Sequence, residues 1–229
     1  MFEKGKLFYL EYNLKLFWYL RKQSFQRIIA VDLDTIVPAY YAGKAKQATL
    51  YYDAHEYFPE MPEVERRKII QWIWLKIEQQ FVPCYDFMYT VSKNIQQIFS
   101  NKYHKPCALV RNVPLPSINP YVPDSQKYLL YQGSLNEGRG LETLLQALTH
   151  MPQIHLKLAG EGDLSQTLRQ MTTSLGLQEQ VEFLGYLQPE ELLLLTQKAY
   201  LGVNLLENRG ENYYYSLANK FFDYTMAGV

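Results

Sequence analysis

Two cysteines, Cys84 and Cys107, are too few in 229 residues to form a disulfide framework, so a reducing cytoplasm is the default compartment. Neither they nor the four histidines fall at metal-ligand spacing, and no metal is expected. Net charge is also lacking: 23 Lys and Arg balance 23 Asp and Glu, which argues against a nucleic-acid binder. No signal-peptide pattern opens the chain. The apolar stretch from Leu7 to Leu20 is interrupted by Glu11, Asn13 and Lys15, so it is no membrane span. It fits an amphipathic helix, either core-facing or lying on a membrane surface. Heptads, low-complexity tracts and short-period repeats are absent as well.

Tyrosine is abundant, with 20 copies beside 11 Phe and 3 Trp. Aromatic rings fill cores, and they also stack on flat ligands such as sugars and bases. Charge is uneven. Residues 1–115 carry 16 basic and 11 acidic side chains, and residues 116–229 carry 7 and 12. A basic first half fits peripheral contact with a membrane surface, an anionic acceptor, or an ordinary solvated face.

Strand-like and helix-like segments alternate. In the first half, Arg27–Asp32, Ala48–Tyr52, Met88–Val91 and Ala108–Val110 read as buried strands. Between them, Ile36–Lys46, Pro62–Gln80 and a segment capped by Ser92 read as helices. Four prolines within Asn112–Asp124 predict a linker at 114–126. In the second half, Tyr128–Gln132, His155–Ala159, Val181–Leu184 and Tyr200–Leu206 read as strands. They alternate with helices at Arg139–Thr149, Leu164–Leu175, Pro189–Lys198 and Ser216–Ala227. Such βα alternation predicts parallel sheets covered by helices, with ligands at the carboxyl ends of the strands. The domains expected are therefore 1–113 and 127–229. The first half opens on a helix, and the second stops at Met226–Val229, where a helix would hand over to a strand. Both halves are expected to be incomplete, and this stretch alone poorly stable or inactive.

Four segments carry candidate chemistry. Gly133, Ser134, Gly138, Arg139 and Gly140 lie between a strand and a helix, where bare backbone and a helix start favour an anion. Arg139 adds a donor fork for phosphate. Gly160, Glu161 and Gly162 form a second strand-end loop, which can floor a nucleotide pocket or simply turn the chain, with Asp163 as a helix cap. Glu207 to Gly228 holds Lys220, a point charge for phosphate, and Asp223, a carboxylate able to hold two ribose hydroxyls. Those two also fit a plain i, i+3 pair on an exposed helix. In the first half, Asp53, His55 and Glu56 end a strand and could position or polarise an acceptor hydroxyl, with Asp32 and Asp34 near.

Read in order, these segments resemble the retaining GT-B glycosyltransferases, the family-four-like group that makes bacterial cell-surface polysaccharides. The resemblance rests on Asp32-Leu-Asp34-Thr35, Tyr52–Glu56, Val91-Ser92, Arg111–Pro114, Gly133–Glu142, Gly160–Asp163, Phe183–Gly185 and Asn219–Gly228. It implies an α/β fold of two Rossmann-like domains facing across a cleft. It also implies a nucleotide-sugar donor on the second and a carbohydrate or lipid-linked acceptor on the first. The donor would be held by Gly133, Ser134, Arg139, Gly160, Glu161, Gly162, Glu207, Lys220 and Asp223, without a metal or other cofactor. His55, Asp53 and Glu56 would serve catalysis. The departures are Ser134 where a second basic residue is common, and Tyr215 where the family's first paired carboxylate stands; Glu207 or Glu211 could replace the latter. A binding module without catalysis, and a sugar-nucleotide epimerase of the same architecture, are the competing readings.

Overall fold

The computed structural model describes residues 6–114, 122, 124 and 126–229. It divides into two compact units. One comprises Met1–Arg111 with Arg209–Ser216, and the other Asn112–Asn208 with Leu217–Val229. Most of the expected linker at 114–126 lies outside the described residues.

In the first unit, helix α1 (Lys6–Lys22) precedes β1 (Arg27–Val31), α2 (Ile36–Ala45) and β2 (Thr49–Ala54). Then follow α3 (Pro62–Glu65), α4 (Lys68–Phe81), β3 (Phe87–Thr90), α5 (Lys93–Tyr103) and β4 (Ala108–Leu109). Among the described residues the strands form one parallel sheet in the order β1-β2-β3-β4. Ile28, Ala30, Leu50, Tyr52 and Met88 point from it into a core completed by Trp74, Phe81, Tyr85 and Phe99. Three of the tyrosines, Tyr52, Tyr57 and Tyr85, are buried in this core. Tyr52 and Tyr85 are fully buried, and the Tyr85 hydroxyl donates to the Ile36 carbonyl at 2.7 Å. A hydroxyl that finds a carbonyl lets a large ring be buried without an unmet donor.

The long helix expected over Pro62–Gln80 is two helices, with Arg67 at a non-helical φ of −112° and ψ of 77°. Phase explains the break. Trp74, Glu78 and Phe81 form one buried stripe, and a straight helix would set buried Val64 about 80° away from it. Ser92 stands at the start of α5 but makes no capping bond. Its hydroxyl donates instead to the Tyr215 carbonyl at 2.9 Å.

The second unit runs β5 (Tyr128–Gln132), α6 (Leu141–Leu148), β6 (His155–Ala159), α7 (Ser165–Ser174), β7 (Val181–Gly185), α8 (Pro189–Lys198) and β8 (Leu201–Gly202). The short helix α9 (Gly210–Tyr214) follows and belongs to the first unit, and α10 (Asn219–Ala227) returns to the second. Helix α6 shows the usual logic: Leu141, Leu144, Leu145 and Leu148 recur at helical spacing, and all are buried. The sheet order is β7-β6-β5-β8, all parallel. The chain leaves β5 toward β6 and β7 on one side and returns as β8 on the other. That reversal makes the carboxyl end of β5 a switch point, where open α/β sheets bind ligands.

Two expected elements shrink. The strand over Tyr200–Leu206 is Leu201–Gly202, because the chain then turns away and the Glu207 N–H donates to the Gly138 carbonyl at 2.9 Å. The helix over Ser216–Ala227 begins at Asn219, since Arg209–Ser216 packs with the first unit.

Candidate functional site

At the switch point of the second unit, the loops after β5 and β6 lock face to face. Gly133 N–H donates to the Ala159 carbonyl at 2.9 Å, and Asp163 N–H to Asn136 Oδ1 at 3.1 Å. Gly160 has a φ of 142°, and a Cβ there would overlap the Gly133 carbonyl oxygen. Gly140, with a φ of 69°, opens α6, and a Cβ on it would overlap the Leu205 carbonyl. Only glycine satisfies both the backbone angle and the close approach. Gly133, Ser134, Gly160 and Glu161 line a cavity of about 240 Å³ with Tyr186, Leu187 and Leu192.

Lys220 enters this region from the first turn of α10. It is 9% exposed, with Nζ 3.7 Å from the centroid of the Tyr131 ring. A Cβ on Gly133 would come within 3.4 Å of that Nζ. Burial, and then repulsion from Arg139, push the Lys220 pKa down to about 7. An anion seated here would relieve both effects. The alternative reading of Lys220 and Asp223 as a plain pair on an exposed helix is not met, since Lys220 is buried. Asp223 Oδ2 instead accepts from Gln132 Nε2 at 2.8 Å, and Gln132 Oε1 accepts from the buried Thr196 hydroxyl at 2.9 Å. Burial raises the Asp223 pKa, and the Gln132 bond partly opposes it. Strand and helix thus fix the Asp223 carboxylate through Gln132, while burial leaves Lys220 desolvated. The Glu161 carboxylate is engaged by Arg169 at 3.0 Å. Asp163 does not cap α7, whose N-cap is Leu164.

The first unit gathers a second polar group at the ends of β1 and β2. Asp53 is buried, and its Oδ2 lies 3.1 Å from Nε2 of the half-exposed His55. Asp32 Oδ1 accepts from the Glu56 N–H at 3.1 Å, and Asp32 N–H donates to the Asp53 carbonyl at 2.8 Å. Asp32 sits at φ 56° and ψ 174°, a region otherwise kept for glycine, and such strain costs about 1–3 kcal/mol. Burial, with smaller repulsion from Glu56 and Asp34, raises its pKa to about 6. Burial and then the Asp53 carboxylate raise Tyr89 to about 12. Asn212, on α9, is 2% exposed; its Nδ2 donates to Glu56 Oε2, and its Oδ1 accepts from the Tyr57 N–H at 2.8 Å.

Comparison with known proteins bears on the second unit first. Residues 119–207 match the family model of glycosyl transferases group 1. An uncharacterized glycosyltransferase of Methanocaldococcus jannaschii is 32% identical over 81 residues, 34% of this chain and 21% of that protein. Among solved structures, Anabaena HepE in complex with UDP-glucose superposes with a TM-score of 0.74 at 17% identity, over 98% of this chain and 63% of that one. Staphylococcus aureus TarM, with UDP and α-GlcNAc-glycerol bound, gives 0.72 at 12% identity, over 93% of this chain and 42% of that one. Sucrose-phosphate synthase of Thermosynechococcus elongatus gives 0.67 at 16% identity, over 92% of this chain and 58% of that one. At such identities the likeness establishes the fold alone. The fold is that of the GT-B glycosyltransferases, built on two parallel sheets. The chain spans less than two thirds of the length of these relatives.

Within the group 1 segment and α10, the structure brings Gly133, Ser134, Gly160 and Glu161 to one cavity, with Lys220 against Gly133. Gly162 closes the second loop, where a Cβ would overlap Asn136 Oδ1. Glu207 reaches the first loop through its backbone. Arg139 precedes α6 instead of standing on it, and neither it nor Asp223 lines the cavity itself. His55, Asp53 and Glu56 all belong to the first unit's cluster. Gln132, Thr196 and Asn212 were not singled out from the sequence. A glutamine closing an otherwise apolar strand was the one local sign; Asn212 left none, because its partners lie 155 and 156 residues away.

Proposed function

We propose that this protein transfers a sugar from a nucleotide-sugar donor to a hydroxyl acceptor with retention at the anomeric carbon. We further propose a role in cell-surface polysaccharide or glycolipid synthesis on the cytoplasmic side. The observation that carries the reading is the buried Lys220 ammonium beside Gly133, which loses solvation there and is further disfavoured by nearby Arg139. A departing diphosphate supplies a counter-charge. Fixed cations and backbone amides stabilise it without solvent reorganisation, so the proposal needs no metal. Asp223, held by Gln132, would accept hydroxyl hydrogen bonds from a ribose in this reading. In the first unit, Asp53 orients His55, which with Glu56 would hold the acceptor hydroxyl. The bound UDP and sugars named for HepE and TarM support this choice of ligand.

Calorimetric titration with UDP and GDP tests the donor half. At least one should bind. Arg139→Ala should weaken binding about 10- to 100-fold, the worth of a hydrogen bond to a charged group. Unchanged binding in that variant refutes the assignment. Turnover of a nucleotide sugar then separates the transferase from a module that only binds nucleotide.

A further inference from the structure

Helix α10 grips Gln132 at two points. The Gln132 side chain donates to Asp223, and its backbone N–H donates to the hydroxyl of Tyr224 at 3.2 Å. The Tyr224 hydroxyl in turn donates to the Leu130 carbonyl at 3.0 Å and lies 3.4 Å from the Val203 carbonyl. All three backbone groups belong to the junction of β5 with β8. Leu130 pairs there with Gly202, and the Val203 N–H donates to the Leu130 carbonyl at 2.8 Å. The next rung of a parallel ladder would join the Gln132 N–H to the Val203 carbonyl. The Tyr224 hydroxyl stands in that rung.

The surroundings are shaped for this wedge. Tyr224 is buried, and a Cβ on Gly202 would come within 2.2 Å of its ring, so only bare backbone at 202 admits it. Burial raises the pKa of the phenol, so the hydroxyl keeps its proton and can accept and donate at once. A phenylalanine would fill the same volume without the hydroxyl. The Gln132 N–H would then close on the Val203 carbonyl or go unpaired, and in either case Gln132 shifts, with the amide that holds Asp223. We propose that Tyr224 is a positioning residue for the donor site: its hydroxyl splays the β5–β8 rung and fixes Gln132, and through Gln132 the Asp223 carboxylate. Lys220 meets Tyr131 and Gly133 instead of Gln132, so the wedge acts on the ribose end of the site. The inference rests on the proposed role of Asp223 toward a ribose, but the wedge itself can be read without any ligand.

The test compares wild type and Tyr224→Phe by calorimetric titration with UDP and with inorganic pyrophosphate, which has no ribose. The variant keeps the ring on Gly202, so circular dichroism should be unchanged. UDP should bind about tenfold more weakly, the worth of one hydrogen bond, and pyrophosphate within about twofold of the wild type. Gln132→Met should show the same UDP loss, and the double variant should lose no more than Gln132→Met alone. Carbon-13 NMR should find the Asp223 carboxyl titrating at a higher pH in Tyr224→Phe, because the Gln132 bond that opposes the effect of burial is loosened. The proposal is overturned if Asp223 titrates as in the wild type, if UDP affinity is unchanged, if UDP and pyrophosphate weaken equally, or if the two single losses add. Should the wild type bind no UDP, the donor reading fails, and the Asp223 titration alone decides the wedge.

Discussion

Lys220 makes a quantitative demand. A lysine whose folded pKa is about 7, against an ordinary 10.5, is partly neutral at physiological pH. The difference corresponds to at most about 5 kcal/mol of disfavoured charge. The sign follows from proton counting. Below about pH 7 both folded and unfolded chains hold the proton, and the folded state bears the full penalty. Between about 7 and 10.5 the unfolded chain holds more protons than the folded one, so stability rises with pH in that window. A diphosphate bound at the same place reverses the situation by favouring the ammonium. At about pH 8 the free site is roughly 0.9 deprotonated, so UDP binding should take up close to one proton. Calorimetry in two buffers of different ionisation enthalpy reads this directly, as a buffer-dependent heat. Lys220→Met removes the titrating group, and the difference between the two proteins isolates it from protons on the nucleotide itself. If wild type and Lys220→Met bind UDP with the same buffer dependence, Lys220 does not meet the phosphates.

Three further outcomes are expected. Gly160→Ala should destabilise the second unit by about 2 kcal/mol or more in urea unfolding, since it combines a forbidden backbone angle with overlap on the Gly133 carbonyl; a loss under about 0.5 kcal/mol would contradict that packing. Asp32 binds more protons folded than unfolded between about pH 3.8 and 6, so wild-type stability should fall across that window by at most about 3 kcal/mol, and Asp32→Asn should flatten the profile. Asn212→Ala leaves the Tyr57 N–H and a Glu56 oxygen without their buried partner, and should cost about 2 kcal/mol; a double-mutant cycle with Glu56→Gln that showed no coupling would sever the link between α9 and the Asp32–Glu56 cluster.

Local chemistry decided a good deal of this protein before any tertiary contact. The strands Tyr128–Gln132 and His155–Ala159 and the helix Pro189–Lys198 match their sequence readings residue for residue. Apolar runs, Pro189 at a helix start and Glu191 bonding back to the Gln188 N–H at 3.2 Å are short-range signals. Gly133 and Gly160 were legible for the same reason: a glycine at a strand end before a helix marks a backbone that must turn tightly or be approached closely.

What the sequence could not contain was which distant groups meet. The order β7-β6-β5-β8 places the switch point at β5, and strand order depends on pairings between segments far apart in the chain. The same holds for Arg209–Ser216, whose local pattern continues the second half while Asn212 and the Tyr215 carbonyl find their partners in the first. The sequence offers Lys220 either as a point charge for phosphate or as half of an exposed helix pair; only the packing against Tyr131 and Gly133 shows it to be desolvated, because a pKa belongs to an environment and not to a residue type. Sequence alone set the alternating elements, their glycine turns and the inventory of charges. Only the fold decided which of those charges lost their water, because burial depends on what distant segments pack against each side chain.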